Sequence, residues 1–167
     1  YEMLRSLVGS EMCIRDRVYT PDQPDLFARI CGYFDQAGFS ILDAKIHTTH
    51  NGFALDTFQV VTAMLPEHYQ ELVNMVESEL AHTLEHPGPL PPPGRGRVSR
   101  RVKSFPFAPR VDLQPDEKAQ RWLLSISASD RTGLLYSVAR VLARHHLNLQ
   151  LATITTLGER VAVPNTP

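Results

Sequence analysis

Apolar residues recur every three or four positions in three stretches of the chain. These residues are Leu26, Ile30 and Phe34, then Tyr69, Leu72, Val73, Val76, Leu80 and Leu84, and finally Leu134, Val138, Val141 and Leu142. This spacing places apolar side chains on one face of an α-helix. We therefore predict three amphipathic helices, the second of which opens at Pro66, because proline is favoured in the first turn of a helix.

Alternating apolar and polar residues follow the first and third of these helices. Residues 39–49 and 147–157 have this period of two, which is typical of half-buried strands. The first stretch is followed by Asn51-Gly52, a dipeptide that accepts the positive φ angles of a tight hairpin, and then by the strand-forming segment FALDTFQVV. The predicted order before the second helix is therefore helix, strand, hairpin turn, strand.

Three further strands complete the predicted pattern. One lies around Val18 before the first helix, and one begins at Trp122 before the third. The last spans residues 102–107 and follows the segment PGPLPPPGRG, whose prolines lack the N–H donors that a helix or a sheet requires. Pro106 restricts this last strand to a sheet edge.

The sequence contains an internal repeat without a gap. Residues 22–48 match residues 130–156, which lie 108 positions further on. The identical pairs are Asp22/Asp130, Leu26/Leu134, Ala44/Ala152, Ile46/Ile154 and Thr48/Thr156, and apolar character is kept at Ile30/Val138, Phe34/Leu142, Phe39/Leu147 and Ile41/Leu149. Two copies of one supersecondary unit explain this match best.

Each copy is predicted to have the order β-α-β-β-α-β. This is a ferredoxin-like unit, in which two helices cover one face of a four-stranded antiparallel sheet. A right-handed β-α-β connection makes the fourth strand an outer one. We therefore predict an α+β protein with two tandem ferredoxin-like modules, the first at residues 18–110 with a Pro/Arg-rich connector at 86–101, and the second at 111–167.

Residues 1–17 do not fit this scheme. The string SLVGSEMCIRDR within them has neither clean periodicity nor turn residues, and it resembles a translated sequencing-adapter read-through. We expect this segment to be foreign to the protein and to carry no function.

Charge and composition narrow the classes of function. The formal net charge of −1 provides no overall field for nucleic acid or an anionic membrane. No apolar run approaches the roughly 20 residues of a membrane span, and no signal peptide is recognisable, so a cytoplasmic location without membrane contact is expected. Cys13 and Cys31 lack CxxC spacing, and His82 and His86 share a helical face without a third ligand, so no metal site is predicted.

Two long strings resemble a known family. Residues 20–60 and 130–162 look like paired ACT domains. Together with the strings RVKSF and DEKAQRWLLSISASDRTGLLYS, they are most similar to the C-terminal ACT pair of the bacterial bifunctional uridylyltransferase/uridylyl-removing enzymes, and the likeness extends from Val18 to about Ala162.

The resemblance implies a regulatory role. In that family the ACT pair senses glutamine and shifts the enzyme between attaching UMP to the PII protein and removing it. The implied partners are glutamine, the catalytic domains upstream in the same protein and, through the parent enzyme, PII protein in nitrogen regulation. The sequence contains neither the Asp-x-Asp pair of the transferase nor the His-Asp motif of the hydrolase. No catalytic residue and no cofactor are therefore expected in this chain, and Mg²⁺ is expected only in the parent enzyme.

The second copy departs from the family near its end. From Val163 on, the residues VPNTP stand where the family has a third strand containing Asp-Thr-Phe. We therefore expect the second module to lack its third strand, second helix and fourth strand, and to expose apolar surface as a result.

The loops before the first and third helices are candidate ligand sites, because free N–H groups at a helix start bind the carboxylate of an amino acid. The second loop is favoured, since Gly133 allows close backbone approach where Asp25 would repel a carboxylate, and Asn148 and Gln150 could bind the ammonium or amide. The candidate residues are Asp130, Arg131, Thr132, Gly133, Leu134, Asn148 and Gln150, with Asp22, Gln23, Pro24 and Asp25 in the first copy.

Three alternatives remain open at this point. Asp22 and Asp130 are also explained as helix caps. A dimerisation or docking module without a ligand would use the exposed sheet edges and helix faces. Nucleic-acid binding is less favoured, since glutamates of the preceding helix could neutralise the basic run. That run consists of Arg95, Arg97, Arg100, Arg101 and Lys103.

Overall fold

The computed structural model describes residues 2–8, 11–62, 68–94, 108–116, 121–129, 133–147, 149, 151–157 and 160–163. The strands in these ranges are β1 (Glu2–Val8), β2 (Glu11–Pro21), β3 (Ser40–His47), β4 (Phe53–Thr62), β5 (Arg110–Asp116), β6 (Arg121–Ser129), β7 (Leu151–Leu157) and β8 (Arg160–Val163). The helices are α1 (Leu26–Gln36), α2 (Tyr69–Glu85) and α3 (Leu134–Arg144). The predicted α+β class and the three predicted helices are confirmed.

The eight strands form one antiparallel sheet in the order β1-β2-β4-β3-β7-β8-β6-β5. Helix α1 packs against both α2 and α3. Residues of all three helices share one apolar cluster with β2, β3 and β4, so the helices cover the same face of the sheet. This arrangement is compatible with ferredoxin-like modules placed side by side.

The two copies are related by a pseudo-twofold axis through the middle of the sheet. Strands β3 and β7, which occupy the same position in the two copies, pair directly with each other. Lys45 pairs with Thr153, its own equivalent, and Ala44 and Ile46 pair with Ile154 and Ala152. Each copy therefore supplies one half of a continuous sheet.

The repeat seen in the sequence is confirmed in backbone detail. Helix α3 begins and ends 108 positions after α1. The N-cap residues of the two helices, Asp25 and Gly133, both have left-handed backbone angles. Positive φ angles also recur at Gly38 and His146, an equivalent pair just after the helices. The two segments therefore take the same turns into and out of the helix.

The hydrophobic core lies mainly between the first copy's strands and helices. Its fully buried side chains include Ile14, Val18, Ile30, Cys31, Phe34, Phe58, Val60, Val76 and Leu80, and α3 extends it with Tyr136, Ala139 and Ala143. Alternate residues of β4 point into this core, as expected for a strand with one covered face. Cys31 is buried as predicted, and burial raises the pKa of its thiol.

Three details of the predicted fold require correction. The hairpin after β3 is longer than a two-residue turn: Gly52 N–H donates to Thr49 O at 3.1 Å, Thr49 N–H donates to Phe53 O, and only Gly52 has a positive φ. The loop therefore resembles the three-residue hairpin with a left-handed glycine at its end. Asn51 does not take the positive φ that was expected.

The outer strand beside β2 is a second correction. Residues 102–107, predicted as the first copy's fourth strand and containing Pro106, lie outside the described residues. The place beside β2 is taken by β1, and a sheet edge can accept only one neighbour. Strands β1 and β2 therefore enter the sheet as an antiparallel pair, with Cys13, Ile14 and Asp16 of β2 buried. Whether residues 1–17 are foreign to the protein stays a prediction.

The third correction concerns the second copy. A short third strand is present, since β8 pairs with both β7 and β6 just as β4 pairs with β3 and β2. Strand β5 takes the outer position beside β6, so a strand also fills the place of the fourth. Within the described ranges no helix follows β7. The loss of the second helix stays a prediction.

The described part of the proline-rich connector lies across the helices. Residues 87–94 form neither helix nor strand, as predicted. Their backbone is held by side chains of both copies: Arg29 Nη1 donates to Gly88 O at 2.6 Å, and Tyr136 Oη donates to Pro91 O at 2.6 Å. Gly94 N–H donates to the Asp35 carboxylate at 2.7 Å. The connector thus joins α1 to α3 on the outer side of the helix layer.

Candidate functional site between the copies

A cleft lies where the first copy meets the second. It is narrow, with a volume of about 40 Å³, and is partly open to solvent. The first copy contributes Asp22, Gln23, Asp25, Leu26, Phe27, Ala28, Ile46, Thr48, Ala54 and Asp56, and the second copy contributes Ala139, Leu142, Ala143, Leu147 and Leu149. Any change in how the copies meet would alter this cleft.

The loop between β2 and α1 forms one wall of the cleft. It is anchored by Asp22 N–H, which donates to Gly52 O at 2.8 Å, and by Gln23 Nε2, which lies 3.5 Å from Leu84 O of α2. The N-cap residue of α1 is Asp25, so Asp22 is not the helix cap that the alternative interpretation required. The Asp25 side chain makes no capping hydrogen bond, which leaves the first-turn N–H groups without a side-chain cap.

Asp56 forms the polar floor of the cleft. This residue of β4 is buried, and its Oδ1 accepts a hydrogen bond from His47 N–H at 3.3 Å. Burial, opposed by that hydrogen bond and reinforced by the nearby charge of Asp22, raises the pKa of Asp56 to about 7. A carboxyl group in this condition gains or loses its proton near neutral pH.

The cleft has an acidic lining. Asp22, Asp25 and Asp56 contribute carboxylates, and none of the described lysine, arginine or histidine residues lines it. In the part of the chain that the structure describes, no three acidic, histidine or cysteine side chains are grouped closely enough to hold a metal ion. The lining therefore suits an organic cation or an ammonium group.

Most of the candidate residues of the first copy lie in the cleft, whereas most of those of the second copy lie outside the described residues. Asp22, Gln23 and Asp25 line it, whereas Pro24 is exposed. The favoured second loop cannot be compared in full, because Asp130, Arg131, Thr132, Asn148 and Gln150 lie outside the described residues. Leu147 and Leu149, on either side of Asn148, line the cleft of the first loop.

Gly133 and Leu134 are the described members of the second loop. A side chain at Gly133 would lie 2.9 Å from Asp35 Oδ1 and 3.3 Å from Gly94 O, so the protein's own atoms occupy the space beside this glycine. Its positive φ of 77° also favours glycine. Leu134 packs against the core. Packing and backbone geometry therefore favour glycine here, whether or not a ligand approaches.

Other candidates from the sequence are placed as follows. The rings of His82 and His86 stack at a centroid distance of 4.6 Å, which confirms that they share a helical face. The basic run from Arg95 to Lys103 lies outside the described residues. Within the described helices none is long and apolar enough to cross a membrane.

Sequence reasoning missed Asp56 and the α3 residues of the cleft. The signal for Asp56 was present, because an aspartate at an inward position of a strand otherwise rich in apolar residues breaks the pattern. Ala139 and Ala143 had no such signal, since alanine fits any face of a helix and only the packing of α3 on α1 brings them to the site.

Fold and cleft together define a class: an α+β protein with a duplicated unit and a narrow cleft between its copies. The chain is similar to proteins named bifunctional uridylyltransferase/uridylyl-removing enzyme. It is 59% identical over 148 residues to the one from Ralstonia nicotianae, 58% over 144 residues to that of Cupriavidus metallidurans, and 53% over 144 residues to that of Burkholderia lata.

These alignments cover most of the chain but little of the relatives. Each covers 86% of this chain and 17% of the relative, so the chain spans about one sixth of the length of the curated enzymes it matches. Such a share is consistent with a non-catalytic portion of an enzyme. No family model matches the chain, and no solved structure matches it.

Proposed function

We propose that this chain is the glutamine-sensing portion of a bifunctional uridylyltransferase/uridylyl-removing enzyme, built as an ACT pair. In this proposal glutamine binding shifts the parent enzyme between attaching UMP to PII protein and removing it. Support comes from the similarity to enzymes of that name and from the duplicated architecture. The observation that carries the proposal is the acidic cleft at the joint of the two copies, beside the start of α1.

The charges of the cleft suit an α-amino acid. The ammonium group of such a ligand is complemented by Asp56 and Asp22, and its carboxylate by the first-turn N–H groups of α1, which Asp25 does not cap. An ammonium beside Asp56 favours the ionised carboxylate, so glutamine binding lowers the pKa of Asp56 below its value of about 7 in the free protein. Affinity is therefore expected to rise between pH 6 and pH 8.

The same charges favour glutamine over glutamate. A second carboxylate on the ligand would enter a cleft whose described lining holds Asp22, Asp25 and Asp56 and no cationic side chain. The neutral amide of glutamine avoids this repulsion and can hydrogen-bond to Thr48 or Gln23. Selectivity in this proposal is thus mainly electrostatic.

Binding at this cleft could change how the two copies are arranged. Its walls come from α1 in one copy and α3 in the other, so a ligand that contacts both favours one arrangement of the pair. A ligand shifts a conformational equilibrium only by its difference in affinity for the two states. The joint between copies is therefore the element on which glutamine would act.

Calorimetry tests the proposal. Glutamine, glutamate and asparagine are titrated into the 167-residue chain at pH 6, 7 and 8. We expect measurable heat for glutamine only, an affinity that rises with pH, and at least a tenfold loss of affinity in Asp56→Asn, corresponding to about 1.4 kcal/mol.

The matched control is Asp112→Asn, which removes an exposed carboxylate from β5 at the far edge of the sheet. It is expected to bind glutamine as the parent chain does. Equal heats for all three amino acids, or glutamine binding that Asp56→Asn leaves intact, would overturn the assignment.

A docking module without a ligand is the second candidate. The observation that favours it is the exposed apolar surface of the second copy, where Val111, Leu113 and Trp122 lie open on β5 and β6. Sedimentation of the chain with and without glutamine separates the two candidates. The docking function would be favoured if the chain associates without glutamine, if Trp122→Thr prevents this association, and if calorimetry detects no heat of glutamine binding.

A further inference from the structure

A second hollow lies on the outer side of the helix layer, between α1, α3 and the connector. It has a volume of about 300 Å³ and opens to solvent more widely than the cleft. Three arginines line it: Arg29 from α1, and Arg140 and Arg144 from α3. Pro89 and Leu90 of the connector form an apolar wall beside them. We call this space the arginine hollow.

The arginine hollow carries a net positive charge. Its three guanidinium groups face one carboxylate, that of Asp25. Among the described residues, none of the three guanidinium groups forms an ion pair with a carboxylate within 4.0 Å. Like charges that converge without counter-ions repel one another, so an anion bound among them would relieve that repulsion.

Arg29 provides an independent sign of a missing partner. Its Nη1 donates to Gly88 O at 2.6 Å, but its Nε is buried and has no hydrogen-bond partner. Buried polar groups in native structures nearly always have a partner, and an exception calls for an explanation such as a bound ion or ligand. An oxyanion in the hollow would give this N–H its acceptor.

The internal repeat shows that the cluster is not a general feature of these helices. The positions equivalent to Arg29, Arg140 and Arg144 in the other copy are Ser137, Gly32 and Gln36, all uncharged. Helices that share bounds and backbone turns therefore differ in charge at these three positions. The three arginines that line the hollow therefore have no charged counterparts at the equivalent positions of the repeat.

From these observations we infer that the arginine hollow is a binding site for the phosphate group of a small organic molecule. Guanidinium groups bind phosphate oxygens through paired N–H donors, and a phosphate near neutral pH carries a charge of about −1.5 to −2. The three guanidinium groups and the one carboxylate together carry a positive charge similar in size to the negative charge of the phosphate. The wall of Pro89 and Leu90 would contact the organic part of the ligand.

This site is separate from the proposed amino-acid site. The two spaces share Asp25 and Ala143, but Asp56 lines only the cleft and the arginines line only the hollow. A ligand in one is thus a neighbour of a ligand in the other. The two assignments can fail independently.

The test uses the 167-residue chain with AMP, inorganic phosphate and succinate as calorimetric probes. We expect AMP to bind more tightly than inorganic phosphate, and both to bind more tightly than succinate. Arg140→Gln is expected to weaken AMP at least tenfold. The control Arg110→Gln removes the same charge from β5, away from the helices, and is expected to leave AMP binding unchanged.

Folding and site identity are checked in parallel. Arg144→Gln, at an exposed position of α3, gives a second variant in case Arg140→Gln unfolds, as followed by circular dichroism. The inference would be overturned if both substitutions left AMP binding unaffected, or if neither phosphate probe gave heat at millimolar concentration. It would also be overturned if succinate bound more tightly than AMP, or if the chain bound an oligonucleotide in preference to AMP. Glutamine heat that persists in Arg140→Gln while AMP heat is lost would show two distinct sites.

Discussion

The two copies of the repeated unit differ most in what covers them. Ile14 of β2 is fully buried, whereas Trp122, which lies 108 positions further on in β6, is 64% exposed. Phe39 is buried, whereas its equivalent Leu147 is 57% exposed. In the first copy α2 packs beside α1, and no described helix does so in the second. The repeated sequence pattern therefore gives the same helices and strands in both copies, but not the same burial of side chains. A side chain is buried only where a second layer of the fold covers it.

The helices make the same comparison. Ile30 and Phe34 of α1 are buried as predicted, whereas the most buried residues of α3 are Tyr136, Ala139 and Ala143. On the predicted face of α3, Leu134, Val138 and Leu142 are only partly buried, and Val141 is 54% exposed. The residues that α3 buries most lie where it packs on α1, and there the ring of Tyr136 covers Gly32.

The largest difference in stability between the two copies should appear when one equivalent pair of residues is replaced by alanine. Phe34→Ala removes a fully buried ring and leaves a cavity, so we expect a loss of about 4 kcal/mol in the free energy of unfolding. Leu142→Ala, at the half-buried equivalent position, should cost about 1 kcal/mol by the area it loses. Urea titration measures both. Equal losses would mean that the second copy is packed as tightly as the first.

The pH dependence of stability should reveal Asp56. Its folded pKa of about 7 lies above its ordinary value of 3.8, so the native state keeps a proton that the unfolded chain has released. The resulting stability is complete at low pH and is lost as pH rises from 3.8 to about 7, by at most about 1.4 kcal/mol per unit. Asp56→Asn should remove this decline and gain about 2 kcal/mol at pH 8.

Urea titrations at pH 5, 6, 7 and 8 check this expectation. Asp112→Asn is the control, because it removes an exposed carboxylate from the far edge of the sheet. A native-state profile that stays flat between pH 5 and pH 8 would show that Asp56 is ionised throughout, and so more hydrated than its burial implies.

The smallest expected change in stability concerns the hydrogen bond between α3 and the connector. Tyr136 has alanine, Ala28, at its equivalent position, so its bond to the connector exists in only one copy. Tyr136→Phe removes the hydroxyl that donates to Pro91 O and should cost about 1 kcal/mol of unfolding free energy. Tyr19→Phe, which alters an exposed ring, should be neutral. No difference between the two variants would mean that the connector is not held at Pro91.

Local patterns in the sequence were enough to predict the elements of this protein. The helices at Leu26–Gln36, Tyr69–Glu85 and Leu134–Arg144 follow from apolar spacing, which depends only on neighbours along the chain. The repeat predicted two copies with the same local geometry, and Asp25 and Gly133 share it even though their side chains differ. These features are determined within windows of a few residues.

The tertiary structure alone decided which surfaces meet. Pairing of β3 with β7 brings the start of α1 beside the end of α3, and this contact creates both the acidic cleft and the arginine hollow. Arg29 and Arg140 are 111 positions apart in the chain, and no periodicity relates them. Contacts of this kind depend on the packing of whole layers, which a pattern along one segment does not contain.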